Sequence, residues 1–445
     1  MLIGVFRHWI KTNRVMLANA GSLVGTTTVT SGLGFVYWWL AARLFMPAEV
    51  GFASAAISAM TLLGTGSVLG LGTLLIGELP RRPEKAGMLI STAIVVVGFL
   101  GACAGLAFAV IVPFVSPQFK PLLATFQVVA LFTLGVSCTA VTIMLDQAVI
   151  GLLRGDLQLW RNILFSVFKL IFLFLFGLWL WSSAGMPIYA AWTIGSLLSL
   201  AALAVYTLAK GYWPRHPFAL EWGWLRKLGG TALQHHTLNL IIRVPALLLP
   251  VLVTILLSAT ANAWFYVAFM MTNFLFSIPV ALTTVLYAVN AAQSDELAHK
   301  ARQTMALSLA ITVAGGGILF FGANQVLSFF GHSYAEEAAW SLRILVLGAF
   351  PLIIKNHFVA VYRVYNRISR TLIPITAGAL LELVAADVGA HLNGLVGLSL
   401  GWILALYLEM ALMTPIVLKV VWPRTLLTNE HRGDRYAAGV GRPHA

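Results

Sequence analysis

Charge is scarce in this 445-residue chain: Asp, Glu, Lys and Arg together make up 10% of it, whereas they supply about 25% of a soluble globular domain. That scarcity, together with 60% hydrophobic residues, excludes an ordinary soluble domain. Apolar runs of about 20 residues, long enough to cross a bilayer, recur from residue 17 to about residue 420. The sequence therefore predicts an all-α polytopic membrane protein.

Cysteine is almost absent, since Cys103 and Cys138 are the two in the chain and both lie in apolar runs. Two isolated thiols form no disulfide framework, redox motif or zinc site. The sequence also lacks a metal-ligand cluster, a phosphate-binding loop and a nucleophile–base pair at catalytic spacing. We therefore expect no metal, no cofactor and no enzymatic activity.

Acidic residues are few as well: 15 Asp and Glu face 28 Lys and Arg. The basic residues concentrate on alternate loops between the apolar runs, and the other loops contain only Arg43 and Lys120. The positive-inside rule then predicts twelve spans with both termini in the cytoplasm. The predicted spans are 17–42, 49–77, 87–113, 121–149, 161–181, 186–209, 229–257, 262–290, 303–323, 336–362, 371–391 and 394–419. Topology alone explains the surplus of base, so we expect no nucleic-acid partner.

The longest connection lies between the sixth and seventh predicted spans and divides the chain into two six-helix bundles, as in transporters built from repeats. The predicted segments are an interfacial N-terminal helix at 1–16, an N-terminal bundle at 17–209, a cytoplasmic linker at 210–228, a C-terminal bundle at 229–420 and a disordered cytoplasmic tail at 421–445.

Polar residues recur at helical spacing on the first two spans of each bundle. The four rows are Asn19, Ser22, Thr26 and Thr30; Ser54, Ser58, Thr61 and Thr65; Thr231, His235, Asn239 and Arg243; and Tyr266, Asn273, Ser277 and Thr284. One such row is typical of helix packing in a membrane. Four rows on these helices favour a hydrated central cavity between the bundles, where we expect Thr26, Ser58 and Asn273 to contact a substrate.

Arg243 lies near the middle of its apolar run, and its predicted helix contains no carboxylate. A charge inside a membrane span is costly, so it is usually matched or functional. An unmatched arginine that faces water would hold an anionic ligand, assisted by Thr231, His235 and Asn239 in the same row. The alternative is an arginine paired across the bundle interface. Lys169, which also lacks a carboxylate nearby, is the second candidate for contact with substrate.

Other buried charges can be matched by their depth in the predicted spans. Such pairs are more often structural than functional, because a buried charge persists where it has a partner. The pairs predicted by depth are Arg343 with Asp387 and Lys355 with Glu382 or Glu409. Asp146, near the inner end of its span, is predicted to pair with Arg154.

Three stretches resemble the bacterial polysaccharide-transport (oligosaccharide flippase) family: AARLFMPAEVGFASAAISAMTLLGTGSVLGLGTLLIGELPRR, PALLLPVLVTILLSATANAWFYVAFMMTNFLFSIPVALTTVLYAVNA and FGHSYAEEAAWSLRILVLGAFPLIIKNHFVAVYRVYNR. The resemblance extends over nearly the whole chain as a pattern of apolar, Gly and Pro positions. That family belongs to the multidrug/oligosaccharidyl-lipid/polysaccharide exporter superfamily. It implies two six-helix bundles around a V-shaped cavity.

The resemblance also implies a function and its partners. Family members translocate undecaprenyl-diphosphate-linked sugars from the inner to the outer leaflet of the bacterial inner membrane. The implied substrate is a lipid-linked oligosaccharide, and the implied neighbours are membrane lipids and the polysaccharide polymerase and glycosyltransferase machinery. Related lipid II flippases keep cations in the cavity, a role that Arg243, and then Lys169, would match. Those flippases have fourteen spans, which leaves the path of the prenyl chain open here.

Two other functions remain as alternatives. A cation-coupled multidrug antiporter of the same fold would be expected to have an acidic cavity, whereas Glu49 and Glu78 lie only near the ends of their spans. A membrane enzyme such as a sugar-polymer ligase or polymerase would usually place catalytic residues in a large outer loop, and all predicted outer loops are short.

Overall fold

The computed structural model describes residues 14–179, 185–210, 223, 231–290, 297–365 and 367–422. Within these ranges the regular structure is helical and contains no strand. The predicted interfacial helix at 1–16, the linker at 210–228 and the tail at 421–445 lie almost entirely outside the described residues.

The first half of the chain forms a helical bundle. Its helices are α1 (Arg14–Leu44), α2 (Pro47–Ser67), α3 (Leu71–Glu78), α4 (Ala86–Val115), α5 (Phe126–Gly151), α6 (Gly155–Trp179) and α7 (Met186–Ala209), with 3₁₀ turns at Pro83–Lys85 and Pro117–Leu123. α4 packs along α5, α6 along α7, and α1 along α6.

The second half of the chain forms another helical bundle. Its helices are α8 (Thr231–Leu256), α9 (Ala259–Asn290), α10 (Leu297–Phe321), α11 (Ala323–Ser328), α12 (His332–Leu347), α13 (Ala349–Val364) and α14 (Ser369–Val421). α14 packs against α8 and α13, and α9 packs against α12 and α13. The two halves meet where α2 lies against both α8 and α9.

Local sequence explains where several helices begin or turn. Pro47 opens α2 at a position that needs no N–H, and the Glu49 carboxylate accepts a hydrogen bond from the Met46 N–H at 3.0 Å. The long helix α14 is interrupted at Asn393 and Gly394, whose dihedral angles are not helical. Gly394 has φ = +54°, which suits glycine. The chain reverses there, so α14 forms two antiparallel segments.

The buried apolar side chains form three separate cores, one shared by the two halves and one within each half. One large core contains residues of both halves, including Phe52, Phe132, Phe265 and Trp402. Two smaller cores are each confined to one half. The smaller cores lie at the basic end, defined here as the end that carries Arg81, Arg82 and Lys85 from the first half and Arg363, Arg367 and Arg370 from the second. The halves therefore share a core at the far end and separate towards the basic end.

Ten helices of the described part are long and apolar enough to cross a membrane. This count takes α12 and α13 together, takes α14 as one helix despite its reversal, and leaves out α1.

Candidate functional site

A cavity of 520 Å³ lies between the two halves, on the basic-end side of the shared core. Most of its lining comes from α8, α9, α13 and α14, and the first half contributes through α2, α3 and α5. The charged residues in its lining are Arg243, Lys355, Arg363 and Glu382. Three cations against one carboxylate make the lining basic.

Arg243 is exposed at the cavity wall. No hydrogen bond or ion pair joins its guanidinium to any residue that the structure describes. All five guanidinium N–H donors therefore remain available to a ligand in the cavity.

Arg363, near the end of α13, is a second arginine in the lining, and it lies one residue beyond the predicted span 336–362. Its Nη2 donates to Oδ1 of Asn239 on α8 at 2.6 Å. A basic residue that follows a predicted span is the usual sign of a cytoplasmic loop. The sequence therefore does not indicate that Arg363 lines the cavity.

Lys355 and two glutamates form a buried cluster beside the cavity. Nζ of Lys355 lies 2.6 Å from Oε1 of Glu382 and 2.8 Å from Oε2 of Glu409. Trp402 Nε1 donates to Oε2 of Glu382 at 2.6 Å. Lys355, Glu382 and Trp402 line the cavity, whereas Glu409 lies behind them. This is the grouping that the depths of the three charged residues in the predicted spans indicate.

The predicted polar row on α8 lies only partly on the cavity. Asn239 and Arg243 line it, whereas His235 does not and its neighbour His236 does. Four residues of an α-helix turn through about 400°, so each step of four drifts by about 40° from the original face. The lining follows steps of three and four instead, through His236, Asn239, Arg243 and Ala246.

The other predicted rows give mixed results. Asn273, Ser277 and Thr284 of α9 line the cavity, but Tyr266 packs its ring 4.5 Å from that of Trp38. Ser58 of α2 is buried within the bundle and is not part of the lining. The side chains of Thr26 and Thr231 lie outside the described residues.

Lys169 is not in the cavity lining but is 3% exposed inside the first bundle. Its Nζ lies 4.9, 4.8 and 4.2 Å from the ring centres of Tyr37, Phe165 and Trp192. Cation–π attraction to three rings compensates for the loss of water around the ammonium. The expectation that Lys169 contacts substrate from the cavity wall is therefore not met in this conformation.

The predicted pair of Arg343 and Asp387 is wrong. Arg343 donates to the Phe320 carbonyl at 3.2 Å and to Asn324 at 3.1 Å. Asp387 lies 3.9 Å from His391, one turn away on its own helix. Equal depth did not ensure that the two side chains point towards each other.

The predicted pair of Asp146 and Arg154 is also wrong. Asp146 on α5 binds the buried guanidinium of Arg161 on α6, with Nη2 2.8 Å from Oδ1 and 2.9 Å from Oδ2. Arg154 instead contacts Asp156 at the surface, at 3.0 Å.

The two halves are joined tightly at the far end. Nδ2 of Asn262 on α9 donates to the Gly51 carbonyl at 2.7 Å and to Oγ of Ser54 at 2.9 Å. A Cβ on Gly51 would overlap the Ala259 carbonyl, so only glycine allows this approach. We call Gly51, Ser54, Ala259 and Asn262 the far-end seal.

A second contact at the far end links α1 to the turn between α11 and α12. Trp39 Nε1 and Arg43 Nε both donate to the Phe329 carbonyl at 3.0 Å. The Phe35 and Phe330 rings meet edge to face at 5.2 Å. Together with the far-end seal, these contacts close the cavity from the far end.

The fold is similar to that of several solved transporters. One is the inward-facing structure of a multidrug resistance MATE family transporter of the MOP superfamily (TM-score 0.66, 15% identity, 89% of this chain and 96% of that chain). Another is the lipid II flippase MurJ in an inward closed conformation (TM-score 0.67, 14% identity, 94% and 93%). A third is a MOP superfamily transporter from Pyrococcus furiosus, described as having a binding pocket of reverse polarity (TM-score 0.57, 14% identity, 91% and 96%).

This chain has the fold of the MOP superfamily transporters. It is a multi-pass membrane protein. No protein-family model matches the sequence, and no curated protein matches it either.

Proposed function

We propose that this chain translocates a polyprenyl-diphosphate-linked oligosaccharide from the inner to the outer leaflet of a bacterial inner membrane, for the synthesis of cell-surface polysaccharide. The observation that carries the proposal is Arg243, a guanidinium exposed to the cavity and without a partner among the described residues. A diphosphate supplies the counter-charge that this residue lacks. Arginine suits it because the planar fork can bind two phosphate oxygens at once.

The rest of the lining suits sugars. Asn239, Asn273, Ser277 and Thr284 bring amide and hydroxyl groups to the cavity wall, and such groups can exchange hydrogen bonds with sugar hydroxyls. The volume of 520 Å³ is within the range of about 300–1,000 Å³ that small-molecule sites occupy. It would hold the diphosphate and the first sugars, with the prenyl chain left in the lipid.

The topology that we propose has twelve spans and cytoplasmic termini. α1 adds one crossing to the ten candidate helices and the reversal of α14 adds another. The positive-inside rule then assigns the basic end to the cytoplasm. A cavity on the cytoplasmic side of a closed far end is the arrangement that a carrier needs to take its substrate from the inner leaflet.

A multidrug antiporter of the same fold is the second candidate, and Glu382 in the lining is the observation that favours it. A carboxylate could attract a cationic drug. Lys355 already lies 2.6 Å from that carboxylate, however, and the same lining contains two guanidiniums that form no ion pair with a described carboxylate, Arg243 and Arg363. This balance of charge favours an anionic substrate.

Transport by the purified protein separates the two candidates. In proteoliposomes, a fluorescent polyprenyl-diphosphate sugar should become accessible on the opposite leaflet, and excess unlabelled lipid-linked sugar should compete with it. A cationic dye such as ethidium should not be transported. Transport of ethidium together with no movement of the lipid-linked sugar would overturn the flippase assignment.

A further inference from the structure

The cluster of Lys355, Glu382 and Glu409 contains two carboxylates for one ammonium. All three residues are 5% exposed or less. With both carboxylates ionised, the cluster would carry one uncompensated negative charge away from water, which is strongly unfavourable. A further positive charge is therefore required.

The geometry leaves little room for a metal ion as that charge. Nζ of Lys355 already occupies the position between the carboxylates, 2.6 Å from Glu382 and 2.8 Å from Glu409. Gly378 closes another side, since a Cβ there would overlap the Glu409 carboxyl group. Hard cations such as Ca²⁺ and Mg²⁺ take about six or more oxygen ligands, whereas the Trp402 N–H at Glu382 is a donor and cannot be a ligand. A proton needs no such ligand shell.

The two carboxyl groups differ in their hydrogen bonds. Glu382 accepts one on each oxygen, from Lys355 at 2.6 Å and from Trp402 at 2.6 Å. Glu409 has fewer: its Oε2 lies 2.8 Å from Nζ of Lys355, and its Oε1 accepts no hydrogen bond from a described residue. Hydrogen bonds stabilise an ionised carboxylate, so Glu382 is the group that remains charged and Glu409 the group that holds a proton.

We propose that Lys355, Glu382 and Glu409 form a binding site for one exchangeable proton, which resides on Glu409 and reaches the cavity past Lys355 and Glu382. Both of these residues line the cavity, which gives the proton a route to whichever side of the membrane the cavity faces. Substrate translocation could then be linked to proton movement through this site.

The neighbouring ionisable groups do not supply the missing charge. Arg243 and Arg363 line the same cavity, but neither forms an ion pair with the cluster in the described part of the chain. Tyr287 of α9 also lines the cavity. His357 lies on another face of α13, where its Nε2 is 3.0 Å from Oγ1 of Thr304. Arginine stays protonated throughout the range in which proteins are folded, so the groups that a test must control for are His357 and the cavity-lining His236.

Infrared difference spectroscopy on the purified protein tests the proposal without substrate. A carboxyl group that loses its proton between about pH 5 and about pH 9 should give a negative C=O stretching band in the wild type. Glu409→Gln should abolish this band. Glu382→Gln should abolish it too, because the remaining pair of Lys355 and Glu409 is already neutral. Because two variants are used, the test still gives a result if one of them does not fold.

Asp387→Asn, His357→Asn and His236→Asn are the matched controls, and all three should retain the band. Asp387 lies on the same helix as Glu382 but is half-exposed. A band that survives in Glu409→Gln, or no band in the wild type, would overturn the proposal. Loss of the band on addition of Na⁺ at constant pH would also overturn it, because a metal ion would then be the ligand. Since no lipid-linked sugar is present, the outcome does not depend on the proposed flippase activity.

Discussion

Arg363 and Asn239 lie 124 positions apart in the chain, and their side chains meet across the cavity wall at 2.6 Å. This contact places one guanidinium beside Asn239. Arg243 lies four residues further along α8, about 6 Å away along the helix axis. The cavity lining therefore contains two guanidinium groups, one bound to Asn239 and one without a partner among the described residues. A ligand with two adjacent negative groups would complement these two cations.

The first prediction is that Arg243→Ala strongly reduces transport and leaves the protein folded. Removal of an unpaired charge strands no partner, so the amount of folded protein should match the wild type. Transport of the lipid-linked sugar should fall at least about tenfold, because a charge-assisted contact to phosphate is worth about 1.5–3 kcal/mol. Arg243→Lys should keep part of the activity, since the charge remains but the fork is lost. Folded amount and transport should be measured in the same cells.

Arg302→Ala is the control for this experiment. Arg302 is a partly exposed arginine near the start of α10 and does not line the cavity. The Arg302→Ala protein should transport the lipid-linked sugar at the wild-type rate. A well-expressed Arg243→Ala protein with normal transport would show that Arg243 does not hold the substrate.

Part of this arrangement could be predicted from the sequence, because helical spacing fixes which neighbours share a face. Asn239 with Arg243, and Asn273 with Ser277, were found in this way. Depth in a span also grouped Lys355 with its two glutamates. Arg343 and Asp387 failed because depth gives no information about the direction of a side chain around the helix axis. Arg161 and Asp146 were missed for a related reason: the partner of Asp146 depends on how α5 packs against α6, which no local pattern contains.

The second prediction concerns the buried pair of Asp146 and Arg161. Asp146→Asn should destabilise the protein by about 3–5 kcal/mol, because it leaves a buried guanidinium without its counter-charge. The Arg161 side chain is 2% exposed and that of Asp146 is 22% exposed. Thermal unfolding in detergent should show a clear decrease in Tm.

Asp156→Asn provides a comparison in the same region. Asp156 also binds an arginine, but its side chain is 54% exposed and that of Arg154 is 33% exposed. An exposed pair contributes about 0–1 kcal/mol, so this variant should unfold nearly as the wild type does. Equal decreases in Tm for the two variants would contradict the assignment of Arg161 as the partner of Asp146.

The third prediction tests the topology. Single cysteines near Arg81 and Arg367 should react with a membrane-impermeant maleimide only from the cytoplasmic side. Cysteines near Lys120 and Ser333 should react only from the outside. The reason is the concentration of basic residues on alternate loops. Labelling of Arg81 and Lys120 positions from the same side would refute the proposed order of spans.

The last prediction concerns closure of the far end and begins with Gly51. Gly51→Ala adds a methyl group that would overlap the Ala259 carbonyl, so α2 and α9 can no longer approach as closely. The two hydrogen bonds that Asn262 donates to the Gly51 carbonyl and to Ser54 would then be disrupted. We expect the cavity to open more often towards the far end. In a background without Cys103 and Cys138, a cysteine at Ser58 should react several-fold faster with an impermeant maleimide added outside.

Gly66→Ala is the matched control on the same helix. A Cβ on Gly66 would meet no atom within 4 Å. Alanine in a helix is favoured over glycine by about 0.5–1 kcal/mol, so this variant should be at least as stable as the wild type, and its Ser58 cysteine should remain protected. Transport should fall in Gly51→Ala and stay normal in Gly66→Ala, because a carrier must close one side before it opens the other. If the Ser58 cysteine is equally protected in both variants, contact between α2 and α9 at Gly51 is not what closes the far end.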